Sequence, residues 1–180
     1  MSDCSRCGGP LVGGEQFCPH CGFRLVVHEG KAEAITAENS QLSSDYDLVE
    51  TLGQDPLGEV FISIDRNTGN RVAVKQFDDW VCGDEEALDR YAMSLAKLKA
   101  SPLDGSPLLI GYHLSNEEAY VVTELIEDFV TLGDYLAQHK QLTAKAAVGA
   151  VLGLLEVVQG LHEVGLVHGG ITPSKILLTE

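Results

Sequence analysis

The chain has 180 residues, of which 44% are hydrophobic, and its formal net charge is −15 at pH 7. This length suits one medium domain with a small appendage. The acidity argues against nucleic acid and anionic membranes as partners, because both carry negative phosphates. No secretory signal opens the chain, and its longest charge-free apolar run, Ala146 to Leu155, is shorter than the ~20 residues that span a bilayer. We therefore expect a cytoplasmic protein.

Two cysteine pairs, Cys4 with Cys7 and Cys18 with Cys21, lie within residues 1–27. Each pair has the CxxC spacing that lets both thiolates bind one metal ion, and a glycine follows each pair. In a reducing compartment such pairs bind metal rather than form disulfides. The sequence therefore predicts a zinc ribbon at residues 1–27 with one structural zinc held by these four thiolates. An iron–sulfur cluster and redox-active thiols are the alternatives.

A polar linker is predicted at residues 28–44, and regular patterns begin after it. Residues 45–126 carry five strand patterns, with one amphipathic helix between the third and the fourth. Residues 127–180 are mostly helical in pattern. This order indicates an α+β fold with two lobes. The predicted strands are 46–52, 59–65, 71–77, 108–114 and 119–125, and the predicted helices are 85–98, 131–139 and 143–164.

Four segments carry motifs that occur together, in this order, in one family. They are Leu52–Val60, Val72–Lys75 with the sequence VAVK, Ala119–Leu125, and His168–Leu178 with the sequence HGGITPSKILL. These segments resemble the glycine-rich loop, the third-strand VAxK motif, the fifth strand with the hinge, and the catalytic loop of serine/threonine protein kinases. The resemblance implies a kinase-like N-lobe at residues 45–126, built from a five-stranded antiparallel sheet plus one helix, and a partial helical C-lobe at residues 127–180.

The resemblance breaks at residues that serve phosphoryl transfer in the family. Gly170 stands where the family has its catalytic aspartate, Lys175 where it has a metal-binding asparagine, and Thr172 where a lysine contacts the transferred phosphate. By ungapped alignment, Tyr91 replaces the helix glutamate that would hold Lys75, and a shift of the alignment that brings Glu85 or Glu86 to this position is the alternative. These losses predict a protein that is not an enzyme: a pseudokinase module that binds, scaffolds or regulates a linked C-terminal domain or a protein partner.

Two alternatives remain open at this point. One is an atypical or weakly active serine/threonine kinase or nucleotide-binding switch. The other is a structural domain in which the zinc ribbon is the binding element. Turnover of ATP would favour the first alternative, and no binding of nucleotide at all would favour the second.

The resemblance also implies an adenine-nucleotide site. Asp55 adds negative charge in the middle of the glycine loop, and Pro56 removes a backbone donor there, so we expect ATP to bind weakly at best. The residues that the resemblance assigns to this site are Gly53, Gly58, Val60, Ala73, Lys75, Thr123, Glu124 and Leu125.

The last long helix pattern is apolar on nearly every side. A helix of this kind requires cover on all faces, and the short helix pattern before it is not large enough to give it. We therefore expect either that the chain is a piece of a longer protein, or that this helix presents an apolar surface to a partner.

Overall fold

We analysed a computed structural model, which describes residues 2–3, 10–11 and 40–179. The four cysteines of the predicted zinc ribbon lie outside the described residues. On either side of the first cysteine pair in sequence, Ser2–Asp3 (β1) and Pro10–Leu11 (β2) pair as antiparallel strands.

A five-stranded antiparallel sheet forms the N-terminal part of the molecule, as the sequence predicts. Its strands lie in the order β3-β4-β5-β7-β6. A tight hairpin joins β3 to β4. The turn from β4 to β5 is held by Asp65, whose Oδ1 accepts a hydrogen bond from the backbone N–H of Asn67 at 2.8 Å. The strands are β3 Tyr46–Asp55, β4 Gly58–Asp65, β5 Arg71–Phe77, β6 Leu109–Leu114 and β7 Ala119–Glu124.

Alternation along β5 divides the core between the two faces of the sheet. Phe77 lies on the face that packs against the helical segment between β5 and β6, where it joins the buried Leu88 and Leu95. Val72 and Val74 lie on the other face. The same alternation places Ala73 and Lys75 on the face of Phe77. The helices of this segment are α2 Asp79–Cys82 and α3 Glu85–Ala100.

Helix α3 begins where its sequence supplies a cap. The Asp84 side chain accepts a hydrogen bond from the backbone N–H of Ala87 at 3.0 Å, and Glu85 and Glu86 place negative charge in the first turn. The cap gives a free backbone N–H a hydrogen-bond acceptor. The two glutamates interact favourably with the positive end of the helix dipole.

A short helix overlaps the end of the segment predicted as a linker, residues 28–44. Gln41–Asp45 (α1) is capped by Ser40, whose side chain accepts from the backbone N–H of Ser43. Leu42 of this helix is only 3% exposed and packs with Tyr120 and with valines of β5 and β7. The folded part of the chain therefore begins before residue 45. A helix of five residues is too short to show a periodic pattern, so the sequence did not reveal it.

The C-terminal part is helical and largely open. Its elements are β8 Val130–Thr131, α4 Leu132–His139, α5 Ala144–Glu163, a 3-10 helix at Pro173–Lys175, and β9 Leu177–Leu178, which pairs with β8. On α5, Val148, Val151, Leu152 and Leu155 are each more than half exposed.

By length and composition alone, α5 could cross a membrane, since it has 20 residues and an 18-residue stretch with a mean hydropathy of 1.5. Only 6% of that stretch is buried. One such helix is weak support for a membrane protein. The cytoplasmic location and the lack of membrane contact therefore stay predictions.

Candidate functional site

A cleft lies between the sheet and the C-terminal part of the chain, with a cavity of about 260 Å³. Three segments form the walls of the cleft. They are the hairpin between β3 and β4, the end of β7 with the residues after it, and the segment near the 3-10 helix. The lining residues are Leu52, Gly53, Gln54, Asp55, Val60, Ala73, Pro107, Thr123, Glu124, Leu125, Ile126, Phe129, Thr131, Ser174, Lys175 and Leu177.

The hairpin presents the side chain of Asp55 to this cleft. Asp55 Oδ1 accepts a hydrogen bond from the backbone N–H of Leu57 at 2.8 Å, which fixes the orientation of the carboxylate. Gly58 begins β4 with a φ of 147°, and a Cβ atom at this position would clash with the carbonyl oxygen of Gln76. The close approach of β4 to β5 therefore requires glycine at residue 58.

Lys75, the lysine of the VAVK strand, obtains its carboxylate partner from the same hairpin. Its Nζ forms a salt bridge with Asp55 Oδ1 and donates to the carbonyl oxygen of Gly58 at 3.0 Å. Sequence reasoning placed Asp55 at the phosphates but missed it as the partner of Lys75. Spacing in the sequence does not signal this contact, because β4 lies between β3 and β5 in the sheet and Asp55 reaches Lys75 only through the direction of its side chain.

Helix α3 does not supply this partner. Tyr91, at the position predicted for the family's glutamate, packs edge-to-face on Phe77 with ring centres 5.4 Å apart. Desolvation and, second, the charge of Asp55 raise the pKa of Tyr91. Glu86 pairs with Arg90 one turn along the helix, with 2.5 Å between Oε1 and the guanidinium Nη1.

Lys175 joins the Asp55–Lys75 pair from the C-terminal part, with its Nζ 3.7 Å from Asp55 Oδ2. Burial raises the pKa of Asp55, but contacts with Lys75, the N–H of Leu57 and the charge of Lys175 outweigh it, so the pKa is lowered. Burial also dominates at Lys75, whose pKa it lowers. Its contact with Asp55 offsets this only in part, and Lys175 adds like charge. Asp55 is therefore ionised at neutral pH.

The segment that resembles a catalytic loop follows α5. The backbone N–H of Gly170 donates to Nδ1 of His168 at 3.2 Å. Burial and, second, the charge of Lys175 lower the pKa of His168. A neutral imidazole with Nδ1 as the acceptor fits both observations. Next to it, the hydroxyls of Thr172 and Ser174 lie 3.0 Å apart at the start of the 3-10 helix.

The end of β7 forms the remaining wall. The backbone N–H of Glu124 donates to the carbonyl oxygen of Leu108 at 2.9 Å, and its Oε1 accepts from the N–H of Leu108 at 2.9 Å. This N–H is already engaged, and the next wall residues along the chain are Leu125 and Ile126. Ile126 was not among the predicted site residues.

The structure brings most of the predicted nucleotide residues together. Gly53, Val60, Ala73, Thr123, Glu124 and Leu125 line the cavity, whereas Gly58 and Lys75 do not. Lys75 lies behind Asp55, which lines the cavity in front of it.

No group of three or more His, Cys, Asp or Glu side chains is arranged to hold a metal within residues 40–179. Cys4, Cys7, Cys18 and Cys21 fall outside the described residues, so the predicted zinc site is not tested.

No family model matches the chain. It is 28% identical over 150 residues to Serine/threonine-protein kinase C of Synechocystis sp., covering 77% of this chain and 27% of the relative. It is 27% identical over 150 residues to Serine/threonine-protein kinase PknA of Mycobacterium tuberculosis, covering 77% and 33%. The chain thus spans about a quarter to a third of the length of these relatives.

Solved structures show the same fold. The PknI kinase domain of Mycobacterium tuberculosis superimposes with a TM-score of 0.67 at 17% identity, covering 76% of this chain and 56% of that domain. The predicted kinase-like α+β fold with its five-stranded antiparallel sheet is therefore confirmed.

The prediction that the protein is not an enzyme is wrong by this comparison, because the relatives that match 77% of the chain are named as serine/threonine kinases. The prediction equated the loss of individual residues with the loss of activity. The structure does give Lys75 a carboxylate partner, Asp55, which comes from the hairpin and not from α3.

Proposed function

We propose that this chain carries the nucleotide site of an atypical serine/threonine protein kinase, which binds ATP in the cleft and transfers its phosphoryl group slowly. The observation that carries the proposal is the placement of Lys75 at the cleft. The lysine of the VAVK strand lies directly behind a cavity whose walls come from the hairpin, from β7 and from the catalytic-loop segment.

The adenine base fits the apolar part of this cavity. Val60 and Ala73 supply apolar contact from the sheet, and Leu177 supplies it from the C-terminal part. Leu125 and Ile126 line the same cavity, and their backbone groups would orient a base edge. Thr123 is a small residue at the end of β7, so it leaves the inner part of the cavity open.

The phosphates would extend toward Lys75 and Lys175, because these ammonium groups are the positive charges at the hairpin side of the cleft. A kinase normally adds magnesium and an aspartate that orients the substrate hydroxyl. With glycine at residue 170, that orienting group is missing, and its loss typically costs ~100-fold or more in rate. Slow transfer follows.

The test is calorimetric titration of the complete protein with ATP and with adenosine, followed by radiolabel transfer from ATP to a protein substrate. We expect both ligands to bind and transfer to be slow but measurable. Lys75→Met should abolish transfer, whereas Lys99→Met, an exposed lysine on α3, should leave it unchanged. The proposal fails if neither ligand binds, or if transfer is the same in Lys75→Met.

A second element of the proposal concerns residues 1–27. We infer that Cys4, Cys7, Cys18 and Cys21 bind one structural zinc. The spacing of the four cysteines supports it, and so does the antiparallel pairing of β1 with β2 on either side of the first pair in sequence.

A further inference from the structure

The carboxylate of Asp55 lies in the cleft at the point where the phosphates of a bound nucleotide would lie. We propose that Asp55 occupies a two-lysine phosphate subsite formed by Lys75 and Lys175, and that the phosphates of a bound nucleotide take its place. The inference deepens the proposed function and rests on it for the identity of the ligand. Lys175 thereby becomes a phosphate-binding residue.

Geometry is the first support. The two oxygens of one carboxylate are divided between two ammonium groups: Oδ1 contacts Lys75 of the sheet, and Oδ2 lies 3.7 Å from Lys175 of the 3-10 helix. A phosphate group presents several oxygens in the same way, so the arrangement of the two lysines suits an oxyanion with at least two acceptors.

Access is the second support. Asp55 and Lys175 line the cavity, but Lys75 does not. The side chain of Lys75 is 17% exposed and that of Asp55 is 24% exposed, so the carboxylate stands between the cavity and the lysine. A nucleotide phosphate can reach Lys75 only after Asp55 has moved away.

Charge is the third support. With Asp55 in place, the side chains of Asp55, Lys75 and Lys175 carry a net charge of +1. Without Asp55, the two lysines carry a net charge of +2. The second state is unfavourable until another anion enters, because two ammonium groups in a partly buried site repel one another. The triphosphate of ATP carries more charge than one carboxylate and can therefore replace it.

The hairpin holds this carboxylate through contacts of the Asp55 side chain. The N–H of Leu57 fixes Asp55 Oδ1, while Pro56 and Leu57 form a two-residue connection between β3 and β4. Side-chain rotation about χ1 of Asp55 would break the contacts with both lysines and leave the strand pairing intact. The competition therefore needs no rearrangement of the sheet.

The experiment compares ligands with and without phosphates on charge variants of the full chain. Asp55→Asn keeps an oxygen for the Leu57 N–H and removes the charge. Asp65→Asn is the matched control, because Asp65 makes the same type of turn contact, to Asn67 at 2.8 Å, in the hairpin between β4 and β5. The ligands are ATP, adenosine and tripolyphosphate, each measured by calorimetry with and without magnesium.

Asp55→Asn should bind ATP and tripolyphosphate about tenfold more tightly than the wild type, which is the effect expected for one lost charge-assisted contact. Its affinity for adenosine should not change, and Asp65→Asn should behave as the wild type. Adding Lys175→Met to Asp55→Asn should then weaken ATP severalfold without affecting adenosine. Asp55→Ser, whose side chain is too short to reach Lys75, provides a second test if the asparagine variant folds poorly.

Two outcomes overturn the inference. One is an Asp55→Asn variant that binds ATP and tripolyphosphate no more tightly than the wild type. The other is an equal gain for adenosine. Failure of the proposed function has a different signature, namely no binding of ATP or adenosine in any variant. Even then tripolyphosphate decides the inference, because an oxyanion subsite does not need the adenine pocket.

Discussion

An ideal Cβ atom on Gly170 would lie 3.7 Å from Nζ of Lys175. A side chain at residue 170 would therefore begin in ordinary van der Waals contact with the lysine ammonium. In kinases an aspartate at this place orients the substrate hydroxyl, and an asparagine at the place of Lys175 binds metal. Here Lys175 stands at the second of these positions, and its ammonium group lies beside the first.

Restoring the aspartate should accelerate phosphoryl transfer. Gly170 is not among the glycines with positive φ, so a side chain is sterically allowed there. We expect Gly170→Asp to raise the transfer rate of the complete protein by about tenfold to 100-fold, because general-base positioning contributes on that scale. Radiolabel transfer from ATP measures it. Gly170→Asn has the same size without the base, and an equal gain in that variant would contradict the explanation.

Zinc content can be assigned to particular thiols. We expect one zinc per chain, and we expect Cys18→Ser to lower the zinc content of purified protein, because a closed site loses one of four ligands. Cys82→Ser is the control. Cys82 is a buried free thiol, so this variant should keep its zinc while losing stability. Unchanged metal content in Cys18→Ser would contradict the assignment.

Two glycines of the hairpin should respond very differently to alanine. A Cβ on Gly58 would clash with the carbonyl oxygen of Gln76, whereas nothing lies within 4 Å of a Cβ on Gly53. We expect Gly58→Ala to lower the free energy of unfolding by about 2 kcal/mol or more, and Gly53→Ala to change it by less than about 1 kcal/mol. Urea unfolding gives both values. Equal effects would mean that β4 and β5 can separate enough to admit a side chain at residue 58.

Much of the fold could be predicted from the sequence, because its strands are long enough to show alternation. The predicted strand 71–77 agrees with β5, Arg71–Phe77, and the helix predicted at 85–98 agrees with α3, Glu85–Ala100. Among the elements that were missed, α1, α2, β8, β9 and the 3-10 helix have two to five residues each. Such short elements are held by tertiary contacts, as Leu42 shows, and these contacts leave no periodic signal.

The site was predictable where it depends on motifs and not where it depends on pairing. Val60, Ala73 and Thr123 were named from the order of motifs, and all three line the cavity. The partner of Lys75 was sought on α3, because the family has it there. Side-chain direction in the β3–β4 hairpin decides that Asp55 reaches the lysine first, and composition and spacing do not report that direction.

Helix α1 should contribute to stability although it precedes the predicted domain. Leu42→Ala removes a side chain that is 3% exposed, and we expect it to lower the free energy of unfolding by about 2–4 kcal/mol. Leu48→Ala is the control, since Leu48 is 41% exposed and should cost less than about 1 kcal/mol. Urea unfolding monitored in the kinase-like part compares them. Equal small effects would show that α1 packs only loosely on the sheet.

The Asp55–Lys75 contact should make stability depend on acid pH. The pKa of Asp55 is lowered from its ordinary value of 3.8, so folding favours the ionised carboxylate. The resulting stabilisation is complete above the ordinary pKa and is lost as the pH falls through the lower folded pKa. The unfolding free energy of the wild type should therefore exceed that of Asp55→Asn by a constant amount from pH 6 to 8, and the gap should close in strong acid.

In a Lys75→Met background the gap should shrink or reverse, because burial, the largest single influence on the pKa of Asp55, then opposes ionisation with less compensation. A gap that stays the same at all pH values, or that survives unchanged without Lys75, would show that the carboxylate is not stabilised by this lysine.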